Sequence, residues 1–140
     1  MEGCVFCNLN LERTRVISES ENIFAILSNP ALVEGHCLVI PKRHVEKLNE
    51  LSEDERVDLF EQMIKLQELL SKQYNSGCDI RQNYRPFQKE GDLKVNHLHI
   101  HLQPRNFEDE LYHKCQVFEK DLFRMLNENE LDEVKKEVIE

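Results

Sequence analysis

The sequence predicts a single α+β domain, and three observations carry that reading. Short apolar runs rich in β-branched and aromatic residues, bounded by proline, glycine or asparagine, recur along the first hundred residues. One long stretch instead repeats its apolar residues at helical spacing behind a capping sequence. Around residue 100, histidine alternates with leucine and isoleucine, the period of a strand with two different faces.

Taken in order, Glu21 to Leu27 (ENIFAIL) and His36 to Ile40 (HCLVI) are strands, a hairpin-like pair joined through Asn29-Pro30 and Gly35. Pro41 removes a backbone donor where the second should stop. Ser52 followed by Glu55 has the form of a capping box. Behind it Val57, Phe60, Met63, Ile64, Leu66, Leu69 and Leu70 recur close to helical spacing until Gly77. Glu61, Gln62, Lys65, Gln67 and Glu68 mark the solvated face of that helix. Cys78 to Tyr84 (CDIRQNY), ended by Arg85-Pro86, and Lys94 to Leu102 (KVNHLHIHL), ended by Pro104, read as two further strands with a loop between them. After Arg105 the chain changes character. Phe107 to Leu126 has helical spacing through Leu111, Cys115, Phe118, Leu122 and Leu126, and Asn127 to Glu140 reads as a short amphipathic helix through Leu131, Val134 and Val138. Residues 1–105 are thus expected to hold the working domain, with residues 106–140 a C-terminal helical extension of it.

A chain of 140 residues with 40% hydrophobic content buries one core rather than two. Its formal net charge of −9 sets an unfavourable field against an extended phosphodiester backbone, so a nucleic-acid partner is not expected. A small anion in a locally basic pocket is compatible with it. No apolar run approaches membrane-span length and the N-terminus lacks the order of a signal peptide, so a soluble, cytoplasmic protein without a membrane partner is expected.

On the strand reading, His97, His99 and His101 share one face, and Leu98, Ile100 and Leu102 the other. At about 3.3 Å per residue the three rings span about 13 Å, enough for an oligophosphate to lie across them. Neutral imidazole attacks phosphorus, and neighbouring rings can hydrogen-bond its oxygens or pass protons near neutral pH. A lone strand histidine is commonly surface or a satisfied core residue; three at period two with apolar residues between are a different case. Two histidines at i and i+2 also chelate catalytic metals, but no third ligand follows at a metallohydrolase-like spacing.

Five cysteines without a secretion signal argue against a disulfide framework. Cys37, Cys78 and Cys115 read as ordinary buried thiols. Cys4 and Cys7 have the spacing of a metal knuckle, or are free thiols near a terminus; a redox pair is the weaker reading, because no strand precedes them.

The run His97-Leu98-His99-Ile100-His101-Leu102-Gln103-Pro104-Arg105 resembles the signature of the histidine-triad family. Cys4-Val5-Phe6-Cys7 and Gly35-His36-Cys37-Leu38-Val39-Ile40-Pro41-Lys42-Arg43-His44 precede it in the family's order, and the resemblance covers residues 4–105. It implies a five-stranded antiparallel sheet packed by helices, and a homodimer in which the sheets of two subunits join. It also implies a hydrolase or transferase that cleaves a nucleoside phosphoramidate or dinucleoside polyphosphate at the α-phosphate. His99 is then the nucleophile that forms a covalent nucleotidyl-histidine, His101 its phosphate-binding neighbour and His36 a fourth catalytic histidine. His97 belongs both to the triad and, with Cys4, Cys7 and His44, to a closed structural zinc site of the kind family members with a leading Cys-x-x-Cys carry.

The resemblance sets Ser28, with Asn29 beside it, at the ribose position; either is equally turn chemistry before Pro30. Phe6 is a candidate for the base pocket with Phe24 and Ile26, the last two being candidates for the core as well. Asn83 matches an asparagine that faces the phosphates. The glycine, alanine and glutamine pattern that usually follows is absent: Leu93 and Lys94 stand where a phosphate-binding glutamine and a small polar residue are found. Arg85, Lys89 and Lys94 either compensate for a longer polyphosphate or lie in solvent. That departure leaves a nucleotide-binding module with little catalysis as the alternative.

Overall fold

The computed structural model describes residues 2–139, apart from the side chains of Leu11 and Glu12. Met1 and Glu140, the outer ends of the two expected segments, lie outside the described residues. Two compact units are present, Met1–Phe107 and Glu108–Glu140.

The first unit is built on five antiparallel strands, β1 (Val16–Glu19), β2 (Ile23–Leu27), β3 (Cys37–Pro41), β4 (Gly77–Arg81) and β5 (Ile100–Arg105), in the order β1-β2-β3-β5-β4. Helix α1 (Glu53–Tyr74) connects β3 to β4. Alternation sorts the strand residues between two faces. Ile23, Ala25, Cys37, Val39, Ile100 and Leu102 pack with Leu59, Leu66 and Leu70 of α1. Phe24, Ile26, Leu38 and Ile40 pack instead with Phe6 and Leu9 from the N-terminal segment. Each fully buried Leu or Ile contributes roughly 1.5–3 kcal/mol, so both faces are anchored and the register cannot slip by one residue.

The capping box forms as read: Ser52 Oγ accepts from the Glu55 N–H at 3.2 Å and Glu55 Oε1 accepts from the Ser52 N–H at 2.9 Å. The apolar list of α1 divides, however. Leu66 and Leu70 are buried and Met63 is packed on the core, whereas Val57, Phe60, Ile64 and Leu69 are exposed. Gly35 is a position where both the backbone and its surroundings demand glycine. Its φ is +80°, and a Cβ there would stand 2.5 Å from Cε2 of Tyr74.

Two expectations are corrected, and one strand was not foreseen. The histidine strand begins only at Ile100 and runs through Pro104, so His97 and His99 lie on the approach to β5 rather than on a ladder. Pairing with β3 stops at Val39↔Ile100, near the donorless Pro41, and the approach is held instead by the Leu98 N–H donating to the Val45 carbonyl at 2.6 Å. Strand β1 carried no recognised signal; its pattern is mostly exposed, so apolar alternation is nearly absent. Finally, residues 107–126 do not form one helix. The second unit has a π turn at Tyr112–Gln116 and a 3₁₀ turn at Glu119–Asp121; Leu111 of the stripe is buried but Phe118 and Leu122 are exposed, so little burial stabilises a continuous α-helix. The amphipathic segment does form α2 (Glu128–Ile139), with Asn127 Oδ1 accepting from the Glu130 N–H at 2.9 Å. Among the described residues no helix is long and apolar enough to cross a membrane.

Candidate active site

The histidines do not act as three equivalent rings. His99 Nδ1 lies 2.7 Å from the carbonyl oxygen of His97, which can only accept. The proton of neutral His99 is therefore on Nδ1, and Nε2 presents a free lone pair. His101, on β5, has its ring centroid 5.0 Å from that of His99. His36 ends the loop before β3, and its Nδ1 accepts from the Leu32 N–H at 3.0 Å. Its proton must then sit on Nε2, which donates to His101 Nδ1 at 2.9 Å. His101 in turn carries its proton on Nε2. One backbone amide sets two tautomers.

Burial keeps these rings neutral. It pushes His36 down to about 4 and His101 to about 3, with the nearby Arg81 guanidinium and the neighbouring imidazoles acting in the same direction. Burial also lowers His99, against the opposing hydrogen bond to His97.

His97 turns away from this row. It is 1% exposed, and Nε2 donates to the Pro41 carbonyl at 2.7 Å, so its Nδ1 lone pair faces Cys4 Sγ at 3.4 Å and Cys7 Sγ at 3.5 Å. His44 Nδ1 is 3.2 Å from Cys7 Sγ. The four ligand atoms of Cys4, Cys7, His44 and His97 all lie within 4.8 Å of one another. A tetrahedral zinc with Zn–S near 2.3 Å and Zn–N near 2.0–2.1 Å needs ligand atoms about 3.3–3.8 Å apart, so two thiols and two imidazoles fit. Burial is the largest influence on the Cys4 thiol and raises it.

A cavity of about 790 Å³ opens beside the histidine row, within the range of small-ligand sites. His36, His99 and His101 line it, as do Phe6, Ser28 and Asn29. The Phe6 ring packs in T-shaped fashion, its centroid 5.3 Å from that of His99 and 5.8 Å from that of His97, tying the segment between the two cysteines to the row. Ser28 Oγ donates to the Pro30 carbonyl at 2.9 Å, so it serves the turn while facing the cavity. Phe24 and Ile26 are core. Asn83 lines a smaller cavity of about 130 Å³, which shares Lys94, Val95 and His99 with the first. Arg85 also lines the smaller cavity, and Leu93 and Lys94 reach the larger one. Arg15, Leu32, Leu38 and Arg81 line the larger cavity too and were not singled out from the sequence. Period-two counting back from Asn83 would have found Arg81.

The sequence matches the HIT domain over residues 11–108. An uncharacterized HIT-like protein of Methanocaldococcus jannaschii is 34% identical over 104 residues, covering 73% of this chain and 78% of that protein. An adenosine 5′-monophosphoramidase of Candida albicans is 28% identical over 112 residues, 76% of this chain and 72% of that protein. Among solved structures, a HIT family member from Bacillus subtilis superimposes with a TM-score of 0.73 at 22% identity, covering 98% of this chain and 95% of that one, which bears on the fold alone. With its histidine row, its sheet order and the matched span in agreement, the chain belongs to the HIT, or histidine-triad, family.

Proposed function

We propose that the protein cleaves a nucleoside phosphoramidate or dinucleoside polyphosphate at the α-phosphate through a covalent nucleotidyl-histidine on His99. The observation that carries this reading is the pair of opposed hydrogen bonds: His99 gives its proton to the His97 carbonyl and keeps a bare Nε2 in the cavity, while the Leu32–His36–His101 chain leaves an N–H on His101 beside it. Attack by Nε2 needs no base, because that nitrogen carries no proton. The bond from phosphorus to the leaving group breaks, the leaving group takes the electron pair and, where it is an amine, a proton from water in the open cavity, and His101 Nε2–H donates to a non-bridging oxygen as charge grows on it. Water then cleaves the P–N bond; another acceptor would make the enzyme a transferase. Phe6 and Leu38 offer an apolar wall for the base, and Ser28 and Asn29 polar groups for the ribose. Asn83, from the adjoining smaller cavity, is assigned to steady the phosphates.

Cys4, Cys7, His44 and His97 would hold a structural zinc, which supplies a rigid tie between the N-terminal segment and the approach to β5. A homodimer is favoured by the sheet edge: β4 has one side unpaired among the described residues, Ile80 on it is 39% exposed, and the exposed stripe Val57, Phe60 and Ile64 belongs to α1, which packs over the same sheet face. Five free cysteines suit a reducing, cytoplasmic setting.

The test is to trap the intermediate. Denaturing quench of protein mixed with a nucleoside phosphoramidate labelled in the nucleotide should leave label on the wild type and none on His99→Asn. A second reading, a nucleotide-binding module with little catalysis, draws on the altered stretch around Leu93, whose side chain is 88% exposed. Under it, neither protein takes up label although both bind AMP.

A further inference from the structure

The row of residues that crosses the sheet on the site face runs Val16, Ile26, Leu38, His101, Arg81, each the register partner of the next on β1, β2, β3, β5 and β4. Directly opposed residues of antiparallel strands project to the same side, so Arg81 stands beside His101, on the side away from Leu38. Adjacent strands are about 4.8 Å apart, and an arginine side chain spans that gap with reach to spare. The row is apolar at Ile26 and Leu38, carries the imidazole in its middle and ends in a guanidinium.

The cavity has two other cations in its wall, and both are engaged. Arg15 donates from Nε to the Leu27 carbonyl at 3.1 Å, and Lys94 donates from Nζ to the Gln88 carbonyl at 2.7 Å. The Glu90 carboxylate in the same wall accepts from the Asn96 N–H at 2.9 Å. Arg81 has no hydrogen-bond or ion-pair partner among the described residues, and it lines the cavity. Its charge is felt at His36 and His101.

We infer that Arg81 is the leaving-group specificity residue: it binds the anionic part of the substrate beyond the α-phosphate and so favours anhydrides with a charged leaving group over phosphoramidates with a neutral amine. This rests on the nucleotidyl-histidine reading above. With the base against Phe6 and Leu38 and the α-phosphate at His99 and His101, the group that departs lies toward β4. There the guanidinium meets phosphate oxygens with charge-assisted, bidentate geometry. An amine leaving group offers no such partner. The guanidinium also opposes the negative charge that builds on the departing oxygen as the bond to phosphorus breaks.

The experiment compares kcat/KM for P1,P3-diadenosine triphosphate, whose leaving group is ADP, and adenosine 5′-phosphoramidate, whose leaving group is ammonia, in wild type, Arg81→Ala and Arg81→Lys. The Ala variant should lose roughly 30- to 100-fold on the triphosphate and less than about 3-fold on the phosphoramidate, with the Lys variant between wild type and Ala on the triphosphate. Retained phosphoramidate turnover shows that the variant is folded. Equal losses on both substrates, or no loss on the triphosphate, overturn the assignment of Arg81 while leaving the His99 mechanism standing. A wild type that turns over neither compound and takes up no label overturns the mechanism, and the assignment with it.

Discussion

His36 Nε2 and His101 Nδ1 are 2.9 Å apart, and the Leu32 N–H that feeds His36 Nδ1 at 3.0 Å makes that contact directional. Because the amide can only donate, the tautomers of both rings follow from the position of one loop. The loop is in turn seated by Gly35, whose left-handed backbone lies against Tyr74 of α1.

Replacing His36 by Ala should therefore weaken catalysis without removing the nucleophile. His101 would then be free to place its proton on either nitrogen. We expect kcat to fall about 10- to 100-fold, with label still trapped on His99, as read by quenched single-turnover assays. Undiminished kcat would contradict the relay.

Gly35→Ala should cost about 1–3 kcal/mol, since it adds left-handed strain and a clash with the Tyr74 ring. Urea titration reads the loss. A Tyr74→Ala background should relieve the clash but not the strain, so only part of the stability returns.

Stability should depend on pH with a definite sign. His36 and His101 titrate near 4 and 3 when folded and near 6.5 when unfolded, so the unfolded chain binds more protons between those values. Stability is then complete above about pH 6.5 and falls as the pH drops, by about 2–3 kcal/mol for each ring at pH 4.5. Below that, Glu55 adds a second loss. The Arg43 guanidinium holds its carboxyl down to about 2, so the stabilisation it provides above 4.5 disappears as the pH falls through 2. Unfolding free energies measured from pH 7 to pH 3 check both; a flat profile is incompatible with neutral buried rings.

Purified protein should carry roughly one zinc per chain, and Cys7→Ser should lose it and lower Tm by several degrees. Metal content by elemental analysis reads the first and calorimetry the second. Intact metal binding in Cys7→Ser would remove that residue from the ligand set.

Phe60→Glu should leave the fold and the His99 adduct intact but convert a dimer to monomer, measured by light scattering during gel filtration. Phe60 is 61% exposed on α1, outside the buried stripe of Leu59, Leu66 and Leu70, so the substitution creates no cavity. A wild type that elutes as a monomer would rule the interface out.

The residues of the candidate site were legible in the chain, because they are residue types at fixed spacing. His97, His99 and His101 alternating with Leu98, Ile100 and Leu102, the Cys4-x-x-Cys7 pair, and the Ser52 capping box are local patterns, and the structure places each of those triads and pairs against its neighbours. Four of the five strands and α1 also followed from periodicity. What the tertiary structure alone decided is which way each ring faces. His97 turns to the thiols because Pro41 ends the pairing and supplies a carbonyl to its Nε2, and Arg81 comes beside His101 because β4 and β5 share a register across the eighteen residues that separate them. Short apolar runs do not encode such partners; hydrogen bonds between distant backbone segments do, and those exist only once the sheet has closed around its two cores.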